Sequence, residues 1–400
     1  MSWKEVPIGE LASGKGDFVD GPFGSNLKSA EYVEAGVPII QLKNIRPNKY
    51  LPKNVKYITD AKAAELDRHN YKPGDVAISK LGAVGTACII PEENEKGIVV
   101  ADVVRFRGDK SLIDYKYLCY FLNSVEGQRR VLKLSRGTTR IRTNLTDLKK
   151  VEIPLPPLKE QKRIAAILDK ADNLRRKRQQ TIQLADEFLR SVFLDMFGDP
   201  VTNPKGYPMV PLGSLCEDLF LGLTSKVDYI DDEGGYPLVR AKDINTGELQ
   251  FEKIRYISEK QHRKLTKNHL TRKGDLLVSK SGTLGTCAIV KTDREFSTYE
   301  SIFTVRVKPD QLNVNFLINL MQNASFKKQL LGKKVGGTVS HLNLKMFRDL
   351  EFGLPPVDQQ VTFNLLAEKI RNKLLVLKES RELGNDFFSS LSQEAFAGKL

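Results

Sequence analysis

No stretch of this 400-residue chain approaches eighteen uninterrupted apolar residues, and its opening, MSWKEVPIGE, has no apolar signal core. Neither membrane spanning nor secretion is expected, and a cytoplasmic location is the default reading. Cysteine is scarce: Cys88, Cys119, Cys216 and Cys287 show no CxxC spacing, and His69, His262, His269 and His341 form no pair at metal-ligand spacing. Buried free thiols are expected, and no metal site. The chain has neither a G-x-S-x-G elbow nor an H-E-x-x-H helix, which removes two common hydrolytic designs. GELASGKG, residues 9–16, nearly spells a phosphate-binding loop, but Gly16 stands where a Ser or Thr must hold magnesium. The Pro-Pro pairs follow Leu155 and Leu354 rather than Asn or Asp, so an adenine-methyltransferase motif is missing too. The expectation is a chain that catalyses nothing.

What the chain does have is charge and repetition. Lys and Arg exceed Asp and Glu by 63 to 49, a formal net charge of +14, which favours a polyanionic partner, nucleic acid first. VPIGEL at 6–11 returns as VPLGSL at 210–215, and VPIIQLKNI at 37–45 as YPLVRAKDI at 236–244. GDVAISKLGAVGTACII at 74–90 returns as GDLLVSKSGTLGTCAIV at 274–290, and RGTTRIRTNLTDLKKVEIPLPPLKEQ at 136–161 as GGTVSHLNLKMFRDLEFGLPPVDQQ at 336–360. The matches are collinear, so the chain is an internal duplication.

Each half opens with about 150 residues of short Val, Ile and Leu-rich strands broken by Gly, Pro and Asn turns. In KPGDVAIS and RKGDLLVS, Gly-Asp suits the turn that leads into a buried strand, which outweighs a nuclease role for Asp75 with Lys80 or Asp275 with Lys280. After PLPPL and GLPPV each half runs for about 35 residues without proline. Ile164, Leu168, Ala171, Ile182, Ala185, Leu189, Val192 and Met196 fall on one helical stripe, and Phe363, Ala367, Ile370, Leu374, Leu377, Phe388, Leu391 and Ala395 on another. A helix of that length spans about 50 Å. Two readings stand: each helix packs on its own domain, or the two pair with each other through Ile164, Leu168, Ile182, Leu189, Ile370, Leu374, Leu377 and Leu391. Arg175 and Arg178 interrupt the first stripe and Gly384 the second. FGDPVTNPKGYP, 197–208, reads as a turn that reverses the chain.

The expected fold class is therefore α+β: two similar mixed α/β domains joined by two long antiparallel helices with an internal pseudo-two-fold repeat. The expected order is a first domain at 1–157, a helix at 158–197, a linker at 198–209, a second domain at 210–356 and a helix at 357–400.

The repeat, IPLPPLKEQKRIAAIL leading into the first helix, MFGDP at its end, and AFAGKL together resemble the specificity subunit of type I restriction-modification systems over essentially the whole chain. The second copy, GLPPVDQQVTFNLL, departs from this pattern by lacking the Lys and Arg of the first. The resemblance implies two target-recognition domains, each reading half of a bipartite asymmetric sequence in double-stranded DNA. It implies helices that set the gap between half-sites and bind two methyltransferase subunits. Those partners would carry S-adenosylmethionine, and restriction subunits would use ATP and Mg; this chain would hold no cofactor. The competing reading is a duplicated DNA-binding regulator that works without enzymes.

Positions alike in both copies should hold the fold or touch phosphate, and polar positions that differ should read bases. Gln41 becomes Arg240 and Asn44 becomes Asp243; Gln and Asn suit adenine, Arg guanine and Asp cytosine. Lys43, Arg46 and Lys242 lie beside them. Lys80 and Lys280 recur by the repeated glycines and suit phosphate, with Ser281 next to the second. Arg136, Thr138, Thr139, Arg140, Arg142 and Asn144 form the second candidate stretch, answered by Lys333, Lys334, Thr338, Ser340, His341 and Asn343. RRKR, 175–178, is expected to be solvated or partner-facing rather than in contact with DNA.

Overall fold

The computed structural model describes every residue except 1–2, 23–25, 138–139, 223–226, 232–233, 246, 281–283 and 333–341. The chain divides into two compact units, residues 1–180 with 378–400, and residues 181–377. Each unit thus contains one copy of the repeat together with part of each long helix.

In the first unit, one four-stranded sheet has the order Lys56–Ile58, Val37–Ile40, Gly97–Val99, Asn70–Tyr71. A second has the order Phe18–Asp20, Val103–Phe106, Val76–Ser79, Ala87–Ile89. The second unit repeats the second sheet as Cys216–Leu221, Ile302–Val307, Leu276–Ser279, Cys287–Ile289. Its other sheet has the order Tyr229–Ile230, Arg255–Ile257, Tyr236–Val239, Ser297–Thr298, in which the last three strands repeat the first three of the first unit and the fourth strand lies at the opposite edge. Val76–Ser79 and Leu276–Ser279 are buried along their whole length, which is why they read as apolar runs rather than alternating ones.

The Gly-Asp turns before these strands are structural. Asp75 accepts from Lys72 N at 2.7 Å and holds the Arg107 guanidinium at 2.8 and 2.9 Å. Asp275 accepts from Arg272 N at 2.8 Å and holds Arg306 at 2.8 Å. Burial pushes the thiols of Cys88, Cys216 and Cys287 up to about 12 and that of Cys119 well above its ordinary value, so all four stay protonated and unreactive near neutrality.

The long helices are Leu158–Phe197 and Val357–Phe396, 40 residues each, or about 60 Å at the α-helical rise. In the first unit they run antiparallel: Arg163 donates to Leu400 O at 2.8 Å, and Arg178 to Ser380 O at 3.1 Å. Ile164 and Leu168 share one core with Phe388, Leu391 and Ala395. In the second unit Leu189, Phe193 and Phe197 share a core with Phe363, Ala367 and Ile370; Ile182 and Leu374 are buried and Leu377 half-buried. The helices also pack on the sheets' own helices, as Tyr117 and Phe121 against Phe396 and Phe193 against Phe316. Helix pairing and packing on the domain are thus one arrangement within each unit.

Each long helix is pinned at its start by a fully buried glutamine. Gln161 accepts from Asp114 N at 2.8 Å and donates to Leu112 O and Pro156 O, both at 2.9 Å. Gln360 accepts from Asn313 N at 2.8 Å and donates to Gln311 O at 3.1 Å and Pro355 O at 2.8 Å.

Candidate nucleic-acid interface

The two stretches singled out around Lys80 and Arg136 come together in the first unit. Gly82 N donates to Ile141 O at 2.9 Å and Thr143 N to Lys80 O at 3.0 Å. Arg136 and Arg142 exchange backbone bonds of 2.8 and 2.9 Å, closing a loop. Gly137 turns it at φ +98°, where a Cβ would lie 2.6 Å from Arg140 O, so the glycine of RGTTR is required by the turn. The loop displays Arg136, Arg140 and Arg142 with exposed side chains, and Arg142 donates to Asp102 Oδ1 at 2.6 Å. Thr138 and Thr139, and on the second copy Ser281, Lys333, Lys334, Thr338, Ser340 and His341, lie outside the described residues. Three guanidinium groups on a glycine-turned loop suit phosphate oxygens or guanine edges.

Several expected contacts are corrected by burial. Asn44 is fully buried; its Oδ1 accepts from Gln41 N at 3.0 Å and its Nδ2 donates to Leu51 O at 2.9 Å and Lys53 O at 3.2 Å. Every hydrogen-bonding atom is engaged within the fold, so Asn44 is a turn cap and not a base reader. Asp243 is the same cap in the second unit, accepting from Arg240 N at 2.9 Å and from Arg240 Nε at 3.2 Å. From Gln41 and Asn44 to Arg240 and Asp243 the bond from the backbone N–H to the cap is kept, and an ion pair between the two side chains is added. Lys43, Arg46 and Lys242 remain exposed around these turns.

Lys80 is buried and bonded to Asp20 Oδ2 at 2.6 Å, which withdraws it from the phosphate role expected of it. Val104 faces Asp20 in the first unit where Phe303 faces Leu221 in the second. Lys280 is therefore without that carboxylate, and it is half-buried. Asn144 and Asn343 are helix N-caps, accepting from Asp147 N at 2.7 Å and Met346 N at 2.8 Å; they recur because both copies need the cap.

The RRKR run is corrected as well. Arg175 and Arg176 bind the buried carboxylate of Asp172 at 2.6 and 2.7 Å, Arg175 also lies 4.8 Å from the Phe388 ring, and Arg178 donates to the second helix. Arg175 and Arg178 thus serve the helix pair, while Arg176 donates to Pro47 O at 2.8 Å.

One pair escaped the sequence comparison. Val33 pairs with Tyr57 and Ile230 with Tyr256, and these tyrosines face Pro38 and Pro237; Tyr32 and Tyr229 are thus equivalent. Tyr32, its pKa raised by burial, is hydrogen-bonded by Gln41. Tyr229 is exposed, with the guanidinium groups of Arg255 and Arg240 at 4.5 and 5.9 Å from its ring. An exposed aromatic ring with guanidinium groups beside it suits nucleic-acid contacts. The signal was EYVEAG against DYIDDEGG. An extra two residues move the offset from 199 (237 minus 38) to 197 (229 minus 32), which hid it.

Residues 2–184 and 204–374 both match the family described as type I restriction modification DNA specificity domain. The specificity subunit of type I restriction enzyme MjaVIII from Methanocaldococcus jannaschii is 21% identical over 303 residues, 72% of this chain and 71% of the relative. That of EcoKI from Escherichia coli K12 is 22% identical over 370 residues, 84% and 75% of the two chains. A crystal structure of the type I S subunit from M. genitalium aligns with TM-score 0.58 at 16% identity, covering 99% of this chain and 96% of the other. With two family matches in tandem on two copies of one fold, the chain belongs to the type I restriction-modification DNA specificity family.

Proposed function

We propose that each unit reads one half of a bipartite, asymmetric duplex target and that the long helices set the gap between the halves. The observation that carries this reading is duplication with divergence: the same sheets, caps and glutamine pins recur, while the displayed side chains differ between copies. The chain acts without catalysing a reaction of its own. It directs two methyltransferase subunits, which carry S-adenosylmethionine, and restriction subunits, which use ATP and Mg, to the target in the cytoplasm. No described helix is long and apolar enough to cross a membrane.

The test is long-read detection of modified adenines in DNA from cells expressing this chain with its cognate methyltransferase. A split motif that vanishes when the chain is omitted is expected. Methylation unchanged without the chain, beside a demonstrably active partner, favours the duplicated regulator instead.

A further inference from the structure

The hairpin that follows the Gln41 to Asn44 turn differs in charge and in anchorage between the two units. In the first unit Ile45 pairs with Tyr50 and Arg46 with Lys49. Ile45 and Tyr50 are buried anchors, while Arg46 and Lys49 are exposed. Cross-strand neighbours of like charge repel, so two adjacent cations here work against the hairpin's own stability. The second unit places Asn245 opposite Glu248, on the equivalent hairpin between Ile244 and Leu249. Glu248 is exposed. The equivalence is secured by the tips, where Asn48 N donates to Ala87 O at 3.0 Å and Gly247 N to Cys287 O at 2.8 Å.

The first hairpin is also fastened to the long helix. Arg176 donates through Nε to Asp172 at 2.7 Å and through NH2 to Pro47 O at 2.8 Å. Asp172 is nearly fully buried and is shared with Arg175 at 2.6 Å, so the Arg176 guanidinium is held in one orientation. Asn123, at the end of the helix Tyr115–Asn123, donates to Asn48 Oδ1 at 2.8 Å and to Ala87 O at 2.8 Å. Asn44 holds the returning strand through Leu51 O and Lys53 O. At the same offset of 199 the second unit has Leu375 for Arg176, Arg371 for Asp172 and Gln322 for Asn123. Leu375 is exposed, and Arg371 donates to Asn319 at 2.9 Å instead.

We infer that the hairpin of residues 45–50 is a phosphate-backbone contact peculiar to the first unit: Arg46 and Lys49 bind DNA phosphates, and Arg176 is the positioning residue that holds the hairpin against the helix. This rests on the DNA-binding reading above. Two cations held side by side on an anchored turn match adjacent phosphates, and a carboxylate at position 248 excludes the same contact in the second unit.

Phosphate contacts are independent of sequence and release counterions, so the probe is a 30-base-pair duplex of arbitrary sequence bound by the full-length chain across a salt series. Arg46→Ala with Lys49→Ala should reduce the steepness of log Kd against log salt by about 2, from two lost contacts at about 0.9 each. Asn245→Ala with Glu248→Ala should leave the slope where it was. Arg176→Ala should lower the slope toward that of the double variant, and Arg176→Lys should restore it. The hairpin cations are exposed, so their loss does not endanger the fold. An unchanged slope in the Arg46 and Lys49 variant overturns the contact, and an unchanged slope in Arg176→Ala overturns the latch. Failure of the unsubstituted chain to bind any duplex overturns the DNA-binding reading itself.

Discussion

Lys80 and Lys280 hold the same place in two copies of one fold and face different surroundings. The Lys80 side chain is 4% exposed and its partner Asp20 18% exposed. Removing one member of such a pair strands the other charge, whereas replacing both with apolar groups is often neutral. Lys80→Met should therefore lower the unfolding free energy by about 3 kcal/mol, and adding Asp20→Leu should recover most of it. Urea unfolding of the two variants checks this; equal losses in both would show that the pair is not what holds the site. The same contrast shows why the candidate site was only partly legible from sequence. Divergence between copies has two sources, different ligands and compensated contacts within the fold. Arg136, Arg140 and Arg142 fall where a reading of exposed polar stretches puts them. The Asn44 to Asp243 change looks identical on paper, because nothing in the string says that residue 44 caps residue 41 while 243 pairs with 240.

At the scale of the element, helix period is carried by residues three and four apart and survives in the bare sequence, so the two long helices were legible from their apolar stripes. What interrupted the stripes was not. Asp172 stands three and four residues before Arg175 and Arg176, visible as possible helix pairs, but its burial depends on packing that sequence spacing does not contain. Gly384 looked like a flaw in the second helix, at about 1 kcal/mol relative to Ala. A Cβ there would lie 2.8 Å from Arg178 NH1, in the space that guanidinium crosses to reach Ser380 O. The glutamines of PLKEQ and PVDQQ fasten helix to domain. Gln161→Leu or Gln360→Leu leaves one N–H and two carbonyls without their partner. At about 1 kcal/mol or more for each stranded group, either change should destabilise its unit by on the order of 3 kcal/mol. Hydrogen exchange resolved by peptide should locate the loss around residues 112–114 for the first and 311–313 for the second. A loss spread evenly over both units would contradict the pin.

For the whole molecule, contact and sequence order part company: the first unit takes residues 1–180 and then 378–400. If the helices set the gap between half-sites, inserting seven residues after Gln180 and seven after Leu377 preserves the heptad stripe. It lengthens each helix by about 10 Å, or about three base pairs. The methylated motif should then keep both half-sites and gain about three base pairs between them; an unaltered gap would end the ruler reading. The divided unit also bears on biosynthesis. Ala395 and Phe396 complete the core that holds Tyr117 and Phe121, yet residue 378 follows residue 180 by 198 positions (378 minus 180). At about 5–20 residues per second a ribosome takes roughly 10–40 s to cross that interval. Throughout it the nascent first unit waits with an open apolar face, and a frameshift anywhere in the second unit leaves the first unfinished although residues 1–180 are correct.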